Sequence, residues 1–379
     1  MKRTVAVFFG GKSAEREVSV LTGVLALRLI DRERYTPVPV YVHTDGEFYT
    51  SQEAFSLQTF QKEPFSLSGF YRCRFAVGAL LLTNLKHGKV RKRIAIDVSL
   101  NCCHGGSGEN GGVAAICEAY AFPSASPNVA ACAVCMDKEW TKRLAASLSL
   151  PTLPYQTLKK RDYVMRGEGA LRKIEELSFP LIVKPSSQGS SIGIRVIEDK
   201  TQLKSATEEA FLYGDKLVYE PYLRQKEDVN CAAYRSKGSV CVSEPEIAFS
   251  GGVYTFEQKY LNEKPINRAQ TEERVLSKTE KARVKAYTKT LYKSLDTLGI
   301  VRVDYLRADG EIYLGEINAV PGSLAYYLFC ERLVDAKKLL TELLEEPFFG
   351  VQNESIVKET GVLKSVSTGG KRGFRGVRL

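Results

Sequence analysis

Four polar side chains occupy alternate positions in two neighbouring apolar segments near the end of the chain. Arg302 and Asp304 are two residues apart, and so are Glu316 and Asn318. Residues two apart in a β-strand point to the same face, so each pair shares one face of its strand. Carboxylate and amide oxygens are ligands that Mg²⁺ prefers, and triphosphate oxygens would complete its octahedron. The pattern predicts a magnesium site, and the alternative is a salt bridge between Arg302 and one carboxylate.

A lysine followed by a loop of small residues forms a second candidate site. Lys184 follows the apolar segment 179–183, and glycines stand at positions 189 and 193. Glycine lets backbone amides approach an anion closely, and Ser190 and Ser191 add hydroxyl donors. A lysine ammonium is a suitable positive charge for phosphate. The segment is consistent with phosphate binding, and a β-hairpin with a serine turn at the surface is the alternative.

Two other glycine-rich stretches match nucleotide-binding motifs only in part. Residues 10–13 read GGKS, like the end of a phosphate-binding P-loop, but the first glycine of that loop would fall at Ala6. Residues 106–111 fit G-x-G-x-x-G between a predicted strand and a predicted helix. The acidic residue that a dinucleotide site needs about 20 positions later has no convincing candidate. Both matches are therefore too incomplete to assign a nucleotide site.

The elements that must position these residues fall into three blocks. In the first block, residues 1–127, strands alternate with turns and helices, which predicts a parallel α/β sheet. The predicted elements of this block are strand 4–9, helix 14–30, strand 36–42, hairpins and loops within 45–92, strand 94–100, a glycine-rich turn at 103–112 and helix 113–120.

The second block, residues 128–215, and the third block, residues 216–368, mix helices with strands. The amides at the start of a helix that Pro321 and Gly322 begin can bind a carboxylate. The predicted elements of the two blocks are one amphipathic helix over 128–147, a buried strand at 179–185, a strand near 217, a loop over 250–270, a helix over 278–298, and strands at 301–307 and 311–318.

The composition limits the class of protein. A chain of 379 residues with 44% hydrophobic and 26% charged residues is typical of a globular protein with two or three domains. No apolar run reaches the ~18 residues that cross a bilayer, and the chain begins with a strand instead of a signal-peptide pattern. Nine scattered cysteines indicate reduced thiols and a cytoplasmic location. Cys132 and Cys135 lack a second pair at zinc spacing, so we expect them in a structural helix.

The net charge of +10 raises the alternative of nucleic-acid binding. Four of the positive charges lie in the glycine-rich tail, residues 369–379, which holds no acidic residue. Charges in the rest of the chain are mixed in sign, and we find no basic stripe with stacking aromatic residues. We therefore expect a flexible basic tail, no nucleic-acid partner and no association with a membrane.

Five motifs between residue 4 and about residue 330 resemble, in order, those of the D-alanine–D-alanine ligases of the ATP-grasp superfamily. The resemblance implies a three-domain α/β protein, in which an N-terminal parallel α/β domain precedes two mixed α+β domains that clasp ATP. The motifs are GGxSAEREVS at 10–19, HGxxGExG at 104–111, MDK at 136–138, VKP with GSSIG at 183–193, and EINxxPG at 316–322.

By this resemblance, residues of the second and third blocks bind ATP. The lysines contact the phosphates, with one of them in a flexible loop that closes the site. Glu220 meets the adenine amino group, and Glu227 meets the ribose. The implied ATP-binding residues are Lys138, Lys184, Ser191, Glu220, Leu223, Glu227 and Lys259.

The resemblance also implies sites for two D-alanines and for two Mg²⁺ ions, which Mn²⁺ can replace. The GGKS turn aims the start of the first helix, with Glu15, at the first D-alanine. Asp304, Glu316 and Asn318 match the metal ligands, and the family is commonly a homodimer. The implied substrate-binding residues are Glu15, His104, Ser190, Tyr327 and Leu328, and the implied catalytic residues are Glu15, Ser190, Tyr260, Arg302 and Gly322.

The implied reaction is the ATP-dependent ligation of two D-alanines to D-alanyl-D-alanine for peptidoglycan precursors. The first carboxylate attacks the γ-phosphorus of ATP, while Mg²⁺ and the lysines offset charge. The amine of the second D-alanine then attacks the acyl phosphate. Arg302 and the backbone near Gly322 stabilise the oxyanion, and the loop over 250–270 excludes water.

Departures from the family pattern leave the second substrate open. Asn110 stands where aspartate is usual, and residues 112–115 lack the usual glutamine–glycine pair. Tyr327 takes the place of the serine that binds the carboxylate of the second substrate. D-serine, D-lactate or another amine therefore remains an alternative acceptor, although Tyr260 favours an amino acceptor because lactate-using relatives usually carry histidine at that position.

Overall fold

Three β-sheets organise residues 2–250 and 275–350, which are the residues that the computed structural model describes. The first sheet has seven strands, of which only the pairings of β1 with β2 and with β7 are parallel. The strands are β1 (Arg3–Gly10), β2 (Tyr35–Val42), β3 (Phe48–Thr50), β4 (Tyr71–Ala76), β5 (Ala79–Asn84), β6 (Val90–Ala95) and β7 (Val98–Asn101), in the order β6-β5-β4-β3-β2-β1-β7.

The expectation of a parallel N-terminal sheet is wrong for the strands from β3 to β6, which pair antiparallel. Short turns join β4 to β5 and β5 to β6 in the chain. Such turns connect antiparallel neighbours, whereas parallel strands need a crossover of about a dozen residues or more. The predicted strand 94–100 is also wrong, because β6 ends at Ala95 and β7 begins at Val98. The predicted strands at 4–9 and 36–42 are confirmed.

Helix α1 (Arg16–Leu29) packs its apolar face on the first sheet. Val24 and Leu27 are buried in the same core cluster as Phe9 of β1. A Cβ atom at Gly23 would lie 2.3 Å from the Cβ of Phe9, a distance that real Cβ atoms do not tolerate. Glycine at this position therefore allows the helix to approach β1 closely.

A buried serine of α1 fixes the helix to the sheet edge where β1 and β7 end. The hydroxyl of Ser19 accepts the N–H of Gly10 at 2.7 Å and donates to the carbonyl of Cys102 at 2.9 Å. Both contacts lie at the carboxyl ends of parallel strands, the edge at which open α/β sheets bind ligands. The start of α1 is thereby held at this edge.

The single helix predicted over 128–147 is wrong, because the chain forms two helices that meet at Asp137. The Asp137 carboxylate accepts the N–H groups of Glu139 and Trp140, and it also binds Ser186 and Lys216. An aspartate that caps a new helix ends the preceding one. The helices up to this point are α2 (Leu57–Phe60), α3 (Gly106–Glu109), α4 (Gly112–Ala119), α5 (Val129–Met136) and α6 (Lys138–Ser147).

The second sheet is antiparallel and has four strands in the order β10-β9-β11-β8. Its last strand in the chain, β11, begins at Lys216, so this sheet extends past residue 215, where the second predicted block ends. Strand β11 pairs with both β8 and β9. The elements are β8 (Gln156–Lys159), α7 (Lys160–Arg166), β9 (Leu181–Pro185), β10 (Arg195–Ile197), α8 (Leu203–Ala210) and β11 (Lys216–Pro221).

The third sheet has five strands, and the two strands predicted at 301–307 and 311–318 are confirmed as β15 and β16, which pair antiparallel. The predicted helix over 278–298 is confirmed as α9, and Ser277 and Glu280 form a capping box at its start. The elements are β12 (Glu227–Ser236), β13 (Ser239–Val242), β14 (Glu246–Ser250), α9 (Lys278–Leu295), β15 (Val301–Ala308), β16 (Glu311–Asn318) and α10 (Leu333–Glu345).

The helix predicted to begin at Pro321 and Gly322 is wrong in its backbone geometry. Residues 322–328 form a short 3₁₀-like segment, within which Ser323, Leu324 and Ala325 have φ angles of 52°, 54° and 46°. These are left-handed values, so the segment lacks the aligned amides of a regular helix start. We call residues 322–328 the acceptor-side segment.

All nine cysteines are free thiols, and Cys132 and Cys135 are buried in α5. These two belong to a core cluster with strands of the third sheet, which agrees with the structural role expected for them. Across the described ranges, we find no helix with the length and apolar character that crossing a membrane requires.

Candidate functional site

The four polar groups predicted to share a face lie together on β15 and β16. Arg302 stands opposite Asn318, and Asp304 stands opposite Glu316. Arg302 donates two hydrogen bonds to Asp304, from Nε to Oδ1 at 2.7 Å and from Nη2 to Oδ2 at 2.8 Å. The Asn318 amide donates to Asp304 Oδ2 at 3.0 Å. The alternation is therefore confirmed, and the salt bridge considered as the alternative is present.

The donor set of this cluster fits a Mg²⁺ ion that shares its ligands with a triphosphate. Asp304 and Glu316 supply carboxylate oxygens, and a half-turn of the Asn318 amide presents its oxygen. Within the described ranges, no three His, Cys, Asp or Glu side chains gather closely enough to hold a metal ion by themselves. Mg²⁺ typically takes only one or two carboxylates and completes its shell with phosphate and water oxygens.

Lys138 connects this cluster to the serine-rich loop. Its Nζ donates to the carbonyl of Gln188 at 2.6 Å and lies 3.6 Å from Oε2 of Glu316. The backbone N–H of Lys138 also donates to the carbonyl of Ser186 at 2.9 Å. One cation therefore lies between the loop predicted to bind phosphate and a carboxylate predicted to bind metal.

A buried carboxylate between two lysines lies next to this region. Glu220 Oε2 accepts from Nζ of Lys184 at 2.6 Å, and its Oε1 pairs with Lys142. Burial opposes ionisation of Glu220, but the attraction of the two lysines outweighs it and lowers the pKa of Glu220 to about 2. Sequence reasoning missed Lys142, although it lies one helical turn after Lys138 in α6, a spacing that places both on one side of a helix.

Glu15, at the start of α1, contacts the serine-rich loop. Ser190 donates a short hydrogen bond to Oε1 of Glu15. A Cβ atom at Gly189 would lie 2.6 Å from Oε2 of Glu15, and one at Gly105 would lie 2.8 Å from it. Two glycines from different parts of the chain thus leave the space that this carboxylate occupies.

The GGKS turn is stabilised by its own serine. Ser13 donates to the carbonyl of His104 at 2.6 Å and accepts the N–H of Glu15 at 3.2 Å. The turn therefore aligns the beginning of α1 with the glycine-rich turn that follows β7. This geometry agrees with the turn, rather than a P-loop, that we expected.

His104 and Glu109 are both buried in the glycine-rich turn that follows β7. Burial lowers the pKa of His104 to about 4, so its imidazole is neutral at pH 7. Burial also raises the pKa of Glu109 to about 7, against the opposing hydrogen bond from the Gly105 amide. The charges of Glu15 and Glu316 raise it further, which places Glu109 near the start of α1 and near β16 of the third sheet. Sequence reasoning gave Glu109 no role, although it is part of the motif at 104–111.

The acceptor-side segment contacts the cluster on β15 through Tyr327. The phenol oxygen of Tyr327 lies 3.3 Å from Nη1 of Arg302. The neighbouring Leu328 behaves differently, because its side chain is buried in the hydrophobic core. Its predicted substrate contact is therefore limited to its backbone.

The other predicted site residues divide into those that the structure describes and those that it does not. Glu227 accepts from Nη1 of Arg307 at 2.6 Å, and Leu223 is half-buried after β11. Ser191 has a left-handed φ of 61°, next to Ser190 in the loop. Lys259 and Tyr260 lie outside the described residues.

Comparison with known proteins places both parts of the chain in one family. The family model described as D-ala D-ala ligase N-terminus matches residues 4–126, and the one described as D-ala D-ala ligase C-terminus matches residues 144–345. The D-alanine--D-alanine ligase of Thermosipho melanesiensis is 30% identical over 95% of this chain and 98% of its own. The protein of the same name from Nitratiruptor sp. is 31% identical over 86% of this chain and 89% of its own.

Solved structures agree with these relatives. The D-alanine-D-alanine ligase from Helicobacter pylori superposes with a TM-score of 0.72 at 28% identity, over 91% of this chain and 98% of its own. The VanG D-Ala:D-Ser ligase from Enterococcus faecalis shares the fold, with a TM-score of 0.74 at 22% identity over 92% of this chain and 100% of its own. From its sequence matches and its fold, this chain belongs to the D-alanine–D-alanine ligase family.

Proposed function

We propose that this chain joins two D-alanines to D-alanyl-D-alanine at the expense of ATP, for the synthesis of peptidoglycan precursors. The observation that carries the proposal is the position of Lys138, between the Gln188 carbonyl and the Glu316 carboxylate. A transferring phosphoryl group needs a cation and metal-binding oxygens on the same side, and this contact brings them together.

In this proposal the chain is an ATP-grasp ligase with three domains, over residues 1–127, 128–215 and 216–368, followed by the tail at 369–379. The separate second and third sheets support two ATP-clasping domains. Strand β11 belongs to the sheet of the second domain, so a boundary after Pro221 would keep that sheet intact.

ATP would lie against the lysine-rich cluster and the serine-rich loop. Lys138, Lys184 and Ser191 would bind the phosphates, with Lys259 from the closing loop. Glu220 would meet the adenine amino group, with Leu223 and Glu227 nearby. Because Lys184 and Lys142 now occupy both oxygens of Glu220, nucleotide binding would have to exchange one of these ion pairs for new contacts.

Asp304, Glu316 and Asn318 would hold Mg²⁺, for which Mn²⁺ can substitute. The metal would supply charge neutralisation on the phosphate oxygens. Arg302 already binds Asp304 through two donors, so it fixes the direction of that carboxylate. The remaining donor, Nη1, points toward Tyr327 and the acceptor-side segment.

The chemistry would proceed in two steps. A carboxylate oxygen of the first D-alanine, placed by Glu15, His104 and Ser190, attacks the γ-phosphorus and releases ADP. The amine of the second D-alanine then attacks the acyl phosphate, and inorganic phosphate leaves. Arg302 and the Gly322 backbone would bind the developing oxyanion, a contact typically worth ~3 kcal/mol. Tyr260, in the loop proposed to close over the site, would complete the catalytic group.

The decisive experiment is phosphate release from ATP with D-alanine and Mg²⁺, with the product identified by mass spectrometry. We expect D-alanine alone to stimulate release and to yield the dipeptide, whereas L-alanine should not. Stimulation by D-alanine that requires added D-serine, D-lactate or another amine would favour the alternative acceptor. No stimulation by any of these compounds would contradict the ligase proposal.

We also propose that the protein is a cytoplasmic homodimer that acts on small molecules and binds no nucleic acid. Sedimentation equilibrium tests the dimer. Deletion of residues 369–379 tests the basic tail, which is the feature of the sequence that favours nucleic acid. We expect full ligase activity from the shortened chain, and loss of any weak, salt-sensitive DNA retention.

A further inference from the structure

A buried threonine of α1 connects His104 to the acceptor-side segment. Thr22 is only 1% exposed, and its hydroxyl accepts a hydrogen bond from the backbone N–H of Ser323 at 3.0 Å. The same hydroxyl lies 2.9 Å from Nε2 of His104. The oxygen can accept from the amide and donate its own proton to the imidazole, and in that arrangement Nε2 is the acceptor nitrogen of His104.

The peptide at Val320 is held from the same side of the site. The Val320 backbone lies close enough to both side chains to raise the pKa of His104 and to lower the pKa of Glu109. Val320 and Ser323 flank Gly322 in the chain, and the proposed mechanism places the Gly322 backbone at the oxyanion. Thr22 therefore ties the start of the acceptor-side segment to α1, and His104 and Glu109 lie close to the residues just before it.

The Thr22 contacts differ from those of an ordinary helix threonine. A buried threonine in a helix usually bonds to the carbonyl four residues earlier, as Thr207 does with Leu203 at 2.7 Å. Thr22 instead bonds to residues 82 and 301 positions away in the chain. Its hydroxyl therefore joins distant segments and is not used to satisfy its own helix.

We propose that Thr22 is a positioning residue, which holds His104 and the acceptor-side segment in one arrangement around the two amino-acid substrates. The inference rests on the proposed function for the identity of those substrates. The hydroxyl itself touches neither substrate in this account. It determines which nitrogen of His104 accepts a hydrogen bond, and it also fixes the backbone path of residues 322–328.

The kinetic test compares Thr22→Val, which keeps the shape and removes the hydroxyl, with Thr22→Ser, which keeps the hydroxyl. Thr288→Val is the matched control, because Thr288 is fully buried on α9 and its hydroxyl bonds to Tyr305 at 2.9 Å. We expect Thr22→Val to raise both D-alanine KM values about tenfold, because the buried imidazole of His104 and the amide of Ser323 lose their partner. The KM for ATP should stay within about twofold, and Thr22→Ser should restore the wild-type values.

A second readout does not depend on ligase activity. The chain has three histidines, so ¹⁵N-histidine NMR spectra are sparse, and His104→Gln assigns the signal of His104. We expect a single neutral tautomer with Nδ1 protonated in the wild type and in Thr22→Ser, and a mixture of tautomers in Thr22→Val. Hydrogen exchange of a peptide covering residues 320–328 should be faster in Thr22→Val than in either other protein.

The outcomes separate this inference from the proposed function. Unchanged His104 signals and unchanged exchange in Thr22→Val would overturn the positioning role, as would Thr22→Ser behaving like Thr22→Val. An equal rise in both D-alanine KM values and in the KM for ATP, matched by Thr288→Val, would show that Thr22 has only a structural role. A wild type that makes no dipeptide, but shows the expected NMR and exchange changes, would reject the function and leave the positioning role in place.

Discussion

The phenol oxygen of Tyr327 lies 3.3 Å from Nη1 of Arg302, while the other donors of that guanidinium bind Asp304. One arginine thus contacts a proposed metal ligand and the residue that replaces the serine of the family pattern. The proposed acceptor side and the proposed metal side of the site are therefore joined through a single planar group, which positions both contacts at once.

Tyr327→Ser should change the KM of the second substrate much more than that of the first, because Glu15 and His104 are the residues proposed to hold the first D-alanine. Loss of a buried hydrogen bond to a charged group corresponds to about ten- to a hundredfold in KM. Both D-alanine KM values and selectivity among D-alanine, D-serine and D-lactate are measured, with Tyr326→Phe as the neighbouring control. Equal small changes in both KM values with unaltered selectivity would remove Tyr327 from the acceptor site.

Lys184→Ala should reduce kcat/KM for ATP about a hundredfold or more, because it removes the charge-assisted contact to phosphate that we propose for this lysine. Steady-state phosphate release at varied ATP measures the effect. Lys204→Ala is the control, since that lysine is 56% exposed and pairs with Glu168 at the surface. A Lys184→Ala enzyme with wild-type kinetics would show that the role of Lys184 is limited to its ion pair with Glu220.

Asp304→Asn and Glu316→Gln should each raise the Mg²⁺ concentration needed for half-maximal activity about tenfold or more, because a neutral amide binds the ion less well than a carboxylate. Activity is titrated with Mg²⁺ at saturating ATP. Glu311→Gln removes a 56% exposed carboxylate from the start of β16 and serves as the control. Titration curves that overlay the wild-type curve would leave Asp304 with a salt-bridge role only.

Glu109→Gln should remove a pH dependence of stability. Burial raises the folded-state pKa of Glu109 from 4.5 to about 7, so the folded state binds a proton more tightly than the unfolded state. The stabilisation that the buried neutral form provides is therefore complete below about pH 4.5 and is lost as the pH rises through 7. A shift of this size corresponds to about 3 kcal/mol.

Urea unfolding of wild type and Glu109→Gln at pH 5 and pH 8 measures this effect. Between pH 5 and pH 8, the unfolding free energy of Glu109→Gln should increase by about 1–3 kcal/mol relative to that of the wild type. A difference that is the same at both pH values would show that Glu109 remains ionised in the folded protein at pH 5.

The sequence predicted the cluster on β15 and β16 because a strand has a side-chain period of two, and alternation alone places Arg302 and Asp304 on one face. It did not predict the antiparallel pairing of β3 to β6, because pairing direction depends on contacts between distant strands. The break at Asp137 was equally hidden, since its four partners include Ser186, which directly follows β9, and Lys216 of β11. Local propensity describes a helix in isolation, and tertiary contacts decided here where it ends.

The residues that sequence reasoning missed are those whose role is set by long-range contacts. Thr22 lies among apolar residues of an amphipathic helix, and nothing local distinguishes it from a core threonine. Glu109 stood within a recognised motif without an assigned contact. Lys142 is the exception, because its spacing from Lys138 along α6 was visible in the sequence.

The left-handed conformation of Ser323, Leu324 and Ala325 has an energetic consequence. This region of backbone space costs an L-residue roughly 1–2 kcal/mol, so three in succession store several kcal/mol of strain in the folded state. Ser323→Gly would release part of that strain in the folded state. The protein becomes harder to unfold when this release exceeds the backbone entropy that the new glycine adds to the unfolded chain. It would also weaken the constraint on the path of residues 322–328. If residues 322–328 bind the acceptor as proposed, relief of this strain would favour stability and loosen the acceptor site, so a variant selected for heat resistance alone would be expected to lose acceptor selectivity there.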